Sequence, residues 1–218
     1  MADDGGGAMR LRGAPDRVAA FTDGVFAIVI TILVLELGVP PDLPERPLTE
    51  AIEQTGPELT AWVISFLLVG MYWVWHRDLF VQVRSVNRDV VWLNLLFLLP
   101  TSLIPFAASV LNEYPREAIA LRLYGLVLTT VALLRFGLYV YLMRHPVLLW
   151  QVPSPRQRRL GGLLALAPIV VYLAAILVAS VAPAASLVLY LALPGLYFAL
   201  ITVLRQHPAT RTEADDFS

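Results

Sequence analysis

The first long apolar run of this sequence contains an acidic residue, and this carboxylate is the group that most needs a chemical explanation. The run begins at Arg17, passes through Phe21-Thr22-Asp23-Gly24 and continues to Leu35-Glu36-Leu37. If the run crosses a membrane, an ionised Asp23 costs free energy unless it is paired or faces water. We therefore expect Asp23 to be functional or to organise neighbouring helices.

Other polar residues fall at the same expected depth. The second apolar run ends near Trp73 and His76, and the third begins close to Asn94. If successive runs are antiparallel, these residues and Asp23 lie near one boundary of the bilayer. We expect a hydrogen-bonded network among Asp23, His76 and Asn94, with Thr22 and Trp73 as further candidates. The alternative is that each residue is solvated separately at the interface.

The helical periodicity separates Asp23 from an apolar stripe on the same run. At about 100° per residue, Ile28, Thr31, Ile32 and Leu35 share one stripe, and Asp23 points to nearly the opposite face. Asp23 would then hold neighbouring helices while the stripe faces elsewhere. The ordinary interpretation of such a stripe is contact with lipid or with the core, and the sequence alone favours it.

Two more charged residues have open roles. Glu36 lies near the end of the first run, beside an acidic segment, where it would attract cations or simply mark the interface. Arg135 lies inside the fourth run, where it would reach towards the interface or pair with an acid.

The composition indicates that a bilayer is the solvent. Of the 218 residues, 58% are hydrophobic and only 15% are charged, whereas soluble domains carry about 25% charged residues. The mean hydropathy is +0.69. The chain contains no cysteine, which excludes thiolate metal sites, and its net charge of −1 argues against a nucleic-acid partner.

The apolar runs predict an all-α integral membrane protein with six transmembrane helices. A span needs about 20 mostly apolar residues, and these runs are far longer than barrel strands. The predicted spans are Val18–Val39, Glu58–Trp75, Val90–Leu111, Ala118–Met143, Leu160–Ala182 and Ala184–Leu204.

The arginines predict the orientation. With six spans, twelve of them fall on one side: Arg10, Arg12, Arg17, Arg77, Arg84, Arg88, Arg144, Arg156, Arg158, Arg159, Arg205 and Arg211. The positive-inside rule then places both termini in the cytoplasm and the Pro40–Pro57 loop outside. The expected organisation is a flexible tail over 1–16, a transmembrane domain over 17–206 and a second tail over 207–218.

Several function classes lack their signatures. The sequence shows no phosphate loop, metal-ligand cluster or nucleophile elbow, so we expect neither an enzyme nor a bound cofactor. His76, His145 and His207 are too scattered to form the site of a lipid-acting enzyme. A secondary or proton-coupled transporter using Asp23 and His76 as a relay remains the main alternative, although no broken-helix pair or inverted repeat is present.

The motif of the first run resembles the transmembrane-protein-175 family of potassium channels. The similarity rests on Arg17 followed by Phe21-Thr22-Asp23, where Thr22 replaces the usual Ser, and on Trp73-x-x-His76. The third run, from Asn94 through Pro100 to Pro105-Phe106, matches as well. The later runs match only in length and spacing.

The resemblance implies a homotetrameric channel in the cell membrane whose first helices line a central pore for potassium, with no fixed metal. It implies a constriction by Ile28, Ile32 and Leu35 and a selectivity ring at Thr31. It also implies a structural polar network that does not line the pore but tethers the first helix to its neighbours; its members are Arg17, Phe21, Thr22, Asp23, Trp73, His76 and Asn94. Since the carbonyl filter of ordinary potassium channels is absent, we expect moderate selectivity over sodium.

Overall fold

The computed structural model describes residues 15–35, 37 and 48–205, and nearly all of them are helical. The helices are α1 Pro15–Leu35, α2 Leu48–Phe80, α3 Arg88–Thr101, α4 Ile104–Glu113, α5 Ala118–Arg144, α6 Pro155–Val178 and α7 Pro183–Arg205. A 3₁₀ turn at Pro146–Leu148 and one antiparallel bridge between Val83 and Leu149 join the end of α5 to the segment after α2. The predicted tails outside 15–205, Glu36 and the segment 38–47 lie outside the described residues.

The structure supports a helical membrane protein. Within the described residues, four helical segments are long and apolar enough to cross a bilayer: 15–35, 88–113, 118–144 and 155–178. The count of six spans is therefore still a prediction, as is the tetramer.

Helix α2 is longer than predicted. It begins at Leu48, ten residues before the predicted start at Glu58, so the prediction of a loop reaching Pro57 is wrong for 48–57. A search for about 20 mostly apolar residues detects only the part of a helix that spans the lipid. The residues from Leu48 to Pro57 are more polar than the rest of α2, so an apolar window does not assign them to the helix.

The predicted third span is divided in two. Helix α3 ends at Thr101 and α4 begins at Ile104, with Ser102 and Leu103 between them. Pro105 has no N–H to donate to the carbonyl four residues earlier, and its ring crowds that carbonyl. The last turn of α3 closes instead through Leu103 N to Pro100 O at 3.1 Å. The predicted span Val90–Leu111 therefore lies within one segment long and apolar enough to cross a bilayer, 88–113, but this segment consists of two helices, which the sequence did not predict.

Helix α6 also starts earlier than predicted, at Pro155 rather than Leu160. Ser154 accepts a hydrogen bond from the backbone N–H of Gln157, and the Gln157 side chain accepts one from the backbone N–H of Ser154. This capping box, followed by Pro at the first helical position, starts the helix in a polar segment that an apolar window does not register.

Helix α5 is the centre of the bundle and contacts α3, α4, α6 and α7. Gly125 allows close packing there, because a Cβ at this position would clash with the hydroxyl of Tyr190 on α7. The Tyr190 hydroxyl donates to the carbonyl oxygen of Leu121 at 2.8 Å. The core around it contains three further fully buried tyrosines, Tyr72, Tyr124 and Tyr172.

Candidate functional site

Helix α1 has a face that packs against its own chain. The buried residues are Thr22, Phe26, Val29 and Leu33, which recur at helical spacing. Phe26 packs against Phe97 of α3, with ring centroids 6.0 Å apart. Helix α1 contacts α2, α3 and α4, so the rest of the chain fixes its position and rotation.

The apolar stripe predicted on α1 is exposed in the single chain. Ile28 is 59% exposed, Ile32 38% and Leu35 78%. Thr31 is exposed too, and its hydroxyl donates to the carbonyl oxygen of Ile28 at 2.9 Å. The stripe therefore does not face the core of its own chain, and either lipid or another chain must cover it.

A buried hydrogen-bonded chain links α1, α3 and α2. Asn94 donates through Nδ2 to Thr22 Oγ1 at 2.8 Å, and its Oδ1 lies 2.8 Å from His76 Nε2. These side chains are at most 3% exposed. Thr22 in turn donates to the carbonyl oxygen of Val18 at 2.9 Å.

The directions of these hydrogen bonds fix the tautomer of the histidine. Because Asn94 uses its amide N–H towards Thr22, its oxygen is the acceptor for His76, and Nε2 of His76 must carry a proton. The imidazole also stacks between Phe97, with centroids 5.7 Å apart, and Phe80, at 4.2 Å. A network satisfied in this way is rigid and sensitive to the loss of any member.

Asp23 lies outside this chain. It is exposed, and its Oδ1 accepts a hydrogen bond from Trp73 Nε1 at 2.8 Å. The sequence predicted one network containing Asp23, whereas the structure divides the residues into a buried trio and a separate pair in which Asp23 is exposed and Trp73 is half-buried. Both groups connect α1 to α2 near the same end of the bundle.

Arg17 and Phe21 belong to neither group. Both are exposed, and neither side chain hydrogen-bonds to the trio. They line a cavity of about 430 Å³ beside Asn94, together with Val18, Val86, Val91 and Leu95. Among the described residues, no group of three His, Asp or Glu side chains could hold a metal ion.

One contact at this end was not predicted. The guanidinium of Arg135 lies 4.2 Å from the ring centroid of Trp75, a cation–π geometry that joins α5 to α2. From the sequence, only an acid or the membrane interface was expected as the partner of Arg135. The sequence places Trp75 close to Trp73 and His76 on the second run, which makes it a candidate partner for a cation. Whether Arg135 reaches it depends on how α5 packs against α2.

A family model described as "Endosomal/lysosomal potassium channel TMEM175" matches residues 17–105. A potassium channel of Streptomyces collinus is 39% identical over 132 residues, covering 59% of this chain and 64% of that protein. The human endosomal/lysosomal proton channel TMEM175 is 37% identical over 110 residues, covering 47% of this chain and 22% of that protein. The chain thus spans less than two thirds of the length of these relatives.

The similarity to a solved structure covers more of the chain. The crystal structure of a lysosomal potassium-selective channel TMEM175 homolog from Chamaesiphon minutus superposes with a TM-score of 0.75 at 25% identity. The match covers 86% of this chain and 97% of that chain. The whole helical arrangement is therefore similar, including the later helices that the sequence motifs do not reach.

Proposed function

This chain belongs to the TMEM175 family of ion channels, and we propose that it forms a potassium-permeable channel in the cell membrane. The relatives and structural neighbours are channels by name, not enzymes. The observation that carries the proposal is the exposed stripe of α1. A helix whose other side is fixed by buried contacts presents Ile28, Ile32 and Leu35 to whatever lies outside the subunit.

The proposed assembly is a homotetramer with α1 from each subunit around a central pore. One helix cannot enclose a pathway, so a site built on its exposed face requires other copies of the chain. Four symmetric copies would turn each stripe residue into a ring. In the single chain the apolar side chains of the stripe are exposed, as expected for a surface that contacts other copies of the chain or lines a pore.

In this assembly Ile28, Ile32 and Leu35 form the constriction. Rings of branched aliphatic side chains narrow the pore and disfavour a water column, so they oppose permeation by dewetting. Thr31 lies among them. Its hydroxyl proton is donated to Ile28 O, which leaves oxygen lone pairs for a partly dehydrated cation, and moderate preference for potassium over sodium follows.

The proposed role of the trio and of the Asp23–Trp73 pair is to position α1. Thr22, Asn94 and His76 connect three helices through buried hydrogen bonds, and Asp23 adds a contact nearer the surface. These contacts prevent α1 from rotating about its axis. A rotation of one residue, about 100°, would take the stripe out of the pore.

The proposed orientation places both termini in the cytoplasm, with 17–206 as the channel domain. It rests on the arginine asymmetry. Single cysteines at Gln151 and Glu117, which are exposed at opposite ends of α5, would be labelled from opposite sides of the membrane. Labelling from the same side would contradict this orientation.

Proton conduction is a second candidate, because relatives in vertebrates are named proton channels. A coupled transporter with an Asp23–His76 relay is less well supported. In the structure Asp23 bonds to Trp73 and His76 bonds to Asn94, so no direct hydrogen bond joins the proposed relay partners.

The test is ion flux from purified protein in liposomes, with potassium, sodium and proton gradients applied separately. A channel passes potassium down its own gradient without needing the gradient of a second ion, and faster than sodium. A proton flux exceeding the potassium flux would support the second candidate. Potassium movement that requires an opposing proton gradient would instead establish a transporter.

A further inference from the structure

A second cavity lies at the arginine-rich end of the bundle, away from the stripe of α1. Its volume is about 670 Å³. The segment after α2, the end of α5, the segment before α6 and the first turns of α6 form its walls. Its lining includes Val81, Gln82, Tyr139, Trp150, Val152 and Gln157.

Backbone contacts hold the walls of this cavity in place. Trp150 N donates to the carbonyl oxygen of Gln82 at 3.0 Å, and Arg84 N donates to that of Leu148 at 2.7 Å. The Tyr139 hydroxyl donates to the carbonyl oxygen of Arg158 at 2.9 Å, which fastens α5 to α6. The cavity is thus preformed and not a gap between loosely placed segments.

The surroundings of the cavity are strongly basic. Residues 139–161 contain four arginines, namely Arg144, Arg156, Arg158 and Arg159, and no acidic residue. The Arg84 guanidinium lies 5.8 Å from the ring centroid of Trp150 in the cavity wall. Nε of Arg158 is buried and has no hydrogen-bond partner among the described residues. An anionic ligand would complement this charge.

The mouth of the cavity is also apolar. Val81, Trp150 and Val152 all expose more than 60% of their surface. Leu160 and Leu163 continue this exposed apolar surface along α6. A small soluble anion gains nothing from exposed apolar side chains around its site, whereas the acyl chains of a lipid would pack against them. Tryptophan beside arginine is typical of the membrane interface.

We propose that this cavity binds the headgroup of an anionic phospholipid, with its phosphodiester near Arg84 and Arg158 and its chains along the exposed side chains of α6. Basic pockets between membrane helices recognise anionic headgroups by this combination of charge and apolar border. The site is separate from the proposed pore, and its test does not measure ion flux.

The experiment is thermal unfolding of the purified full chain in mild detergent. Three additions are compared: phosphatidylglycerol, phosphatidylcholine with the same acyl chains, and inorganic phosphate. A ligand that binds only the folded state raises the melting temperature, and we expect phosphatidylglycerol to raise it by about 5 °C. Phosphatidylcholine and phosphate should have little effect.

Two variants test the location. The double variant Arg84→Gln/Arg158→Gln should lose most of the shift, and Val152→Trp, which fills the cavity without removing charge, should lose it as well. The matched control is Arg116→Gln/Arg122→Gln, which removes two exposed arginines at the other end of the bundle and should keep the full shift. If the first double variant does not fold, Val152→Trp alone decides.

Three results would overturn the proposal. An equal shift with phosphatidylcholine would show that charge is not recognised. An equal shift with phosphate alone would show a soluble-anion site. An undiminished shift in the folded cavity variants would place the lipid elsewhere.

Discussion

One face of α1 is buried by helices of the same chain, and the other face is left exposed. Thr22, Phe26, Val29 and Leu33 are buried by α2, α3 and α4 of the same chain. Ile28, Ile32 and Leu35 carry side chains of the same size and polarity as the buried aliphatic residues, yet they are exposed. Hydrophobicity alone therefore does not distinguish a core position from a proposed pore position on this helix.

What distinguishes the faces is the polar group at the base of the buried one. Thr22 is the only hydroxyl on that face, and it forms a satisfied chain with Asn94 and His76. A uniformly apolar helix could rotate about its axis with little change in buried area, but here the rotation would leave the buried amide N–H of Asn94 without its acceptor, Thr22. The polar trio selects one rotation, and that rotation determines which aliphatic residues form the stripe.

The largest expected effect is on the buried side. Asn94→Leu removes the central member of the trio and leaves Nε2–H of His76 without its acceptor. A buried unsatisfied group costs about 1–3 kcal/mol, so we expect the free energy of unfolding to fall by about 3 kcal/mol. The measurement is thermal unfolding in detergent. Leu96→Ala, on the exposed side of the same helix, is the control and should cost far less; equal losses would show that the trio does not hold α1.

The next effect is on the exposed side. Ile28→Asn replaces a water-repelling side chain with a polar one that has the same number of non-hydrogen atoms and holds water. If the permeation barrier falls by about 1 kcal/mol, potassium flux in liposomes rises about fivefold. Discrimination between potassium and sodium should weaken at the same time.

The control for Ile28→Asn must be exposed but off the stripe. Val29 is off the stripe but is only 3% exposed, so an asparagine there would destabilise the fold. Val34 is 46% exposed and lies outside the stripe. If Val34→Asn raised flux as much as Ile28→Asn, the stripe would be assigned to the wrong face.

Asp23 should have a smaller effect than its charge suggests. A buried ionic network would lose roughly 3–5 kcal/mol with one member, but Asp23 is exposed and has one bond, to Trp73. We expect Asp23→Ala to cost about 1 kcal/mol of stability. In a double-mutant cycle with Trp73→Phe, the two losses should not add; additive losses would mean that the pair is not coupled.

Ion selectivity in Asp23→Ala should stay unchanged, since the carboxylate is off the stripe. A variant that is stable and assembled but has altered preference between potassium and sodium would place Asp23 on the ion path. It would also remove the distinction between the two faces of α1.

The features that the sequence predicts well are those set by periodicity and depth. Helical periodicity separates the stripe from the rest of α1, and the antiparallel order of the runs places Asn94 at the same depth as His76. Both predictions depend only on helix geometry and chain order. The family resemblance found in Arg17 and Phe21-Thr22-Asp23 is confirmed by the match over residues 17–105. Helix α5, predicted to span Ala118–Met143, ends one residue later.

The remaining features depend on tertiary packing or on backbone chemistry that an apolar window ignores. Pro105 ends a helix inside an unbroken apolar run, and α2 begins at Leu48, within a polar segment. That Asp23 pairs with Trp73 rather than with His76 follows from the rotation of α1, which is itself a packing result. The Arg135–Trp75 contact likewise needs the relative placement of α5 and α2.

The smallest expected effect is at Thr31, the one polar residue of the stripe. Its hydroxyl donates to Ile28 O, so only its oxygen lone pairs face outward, and the proposed contact with a cation is a single weak ligand per subunit. Thr31→Ala removes that oxygen and leaves the aliphatic rings in place. We expect the ratio of potassium to sodium flux to fall about twofold, equivalent to about 0.4 kcal/mol, with little change in total flux. Thr31→Ser keeps the oxygen and should retain the ratio. If both variants changed the ratio equally, the methyl group and not the hydroxyl would be responsible, and the stripe would act on ions only through its shape and hydrophobicity.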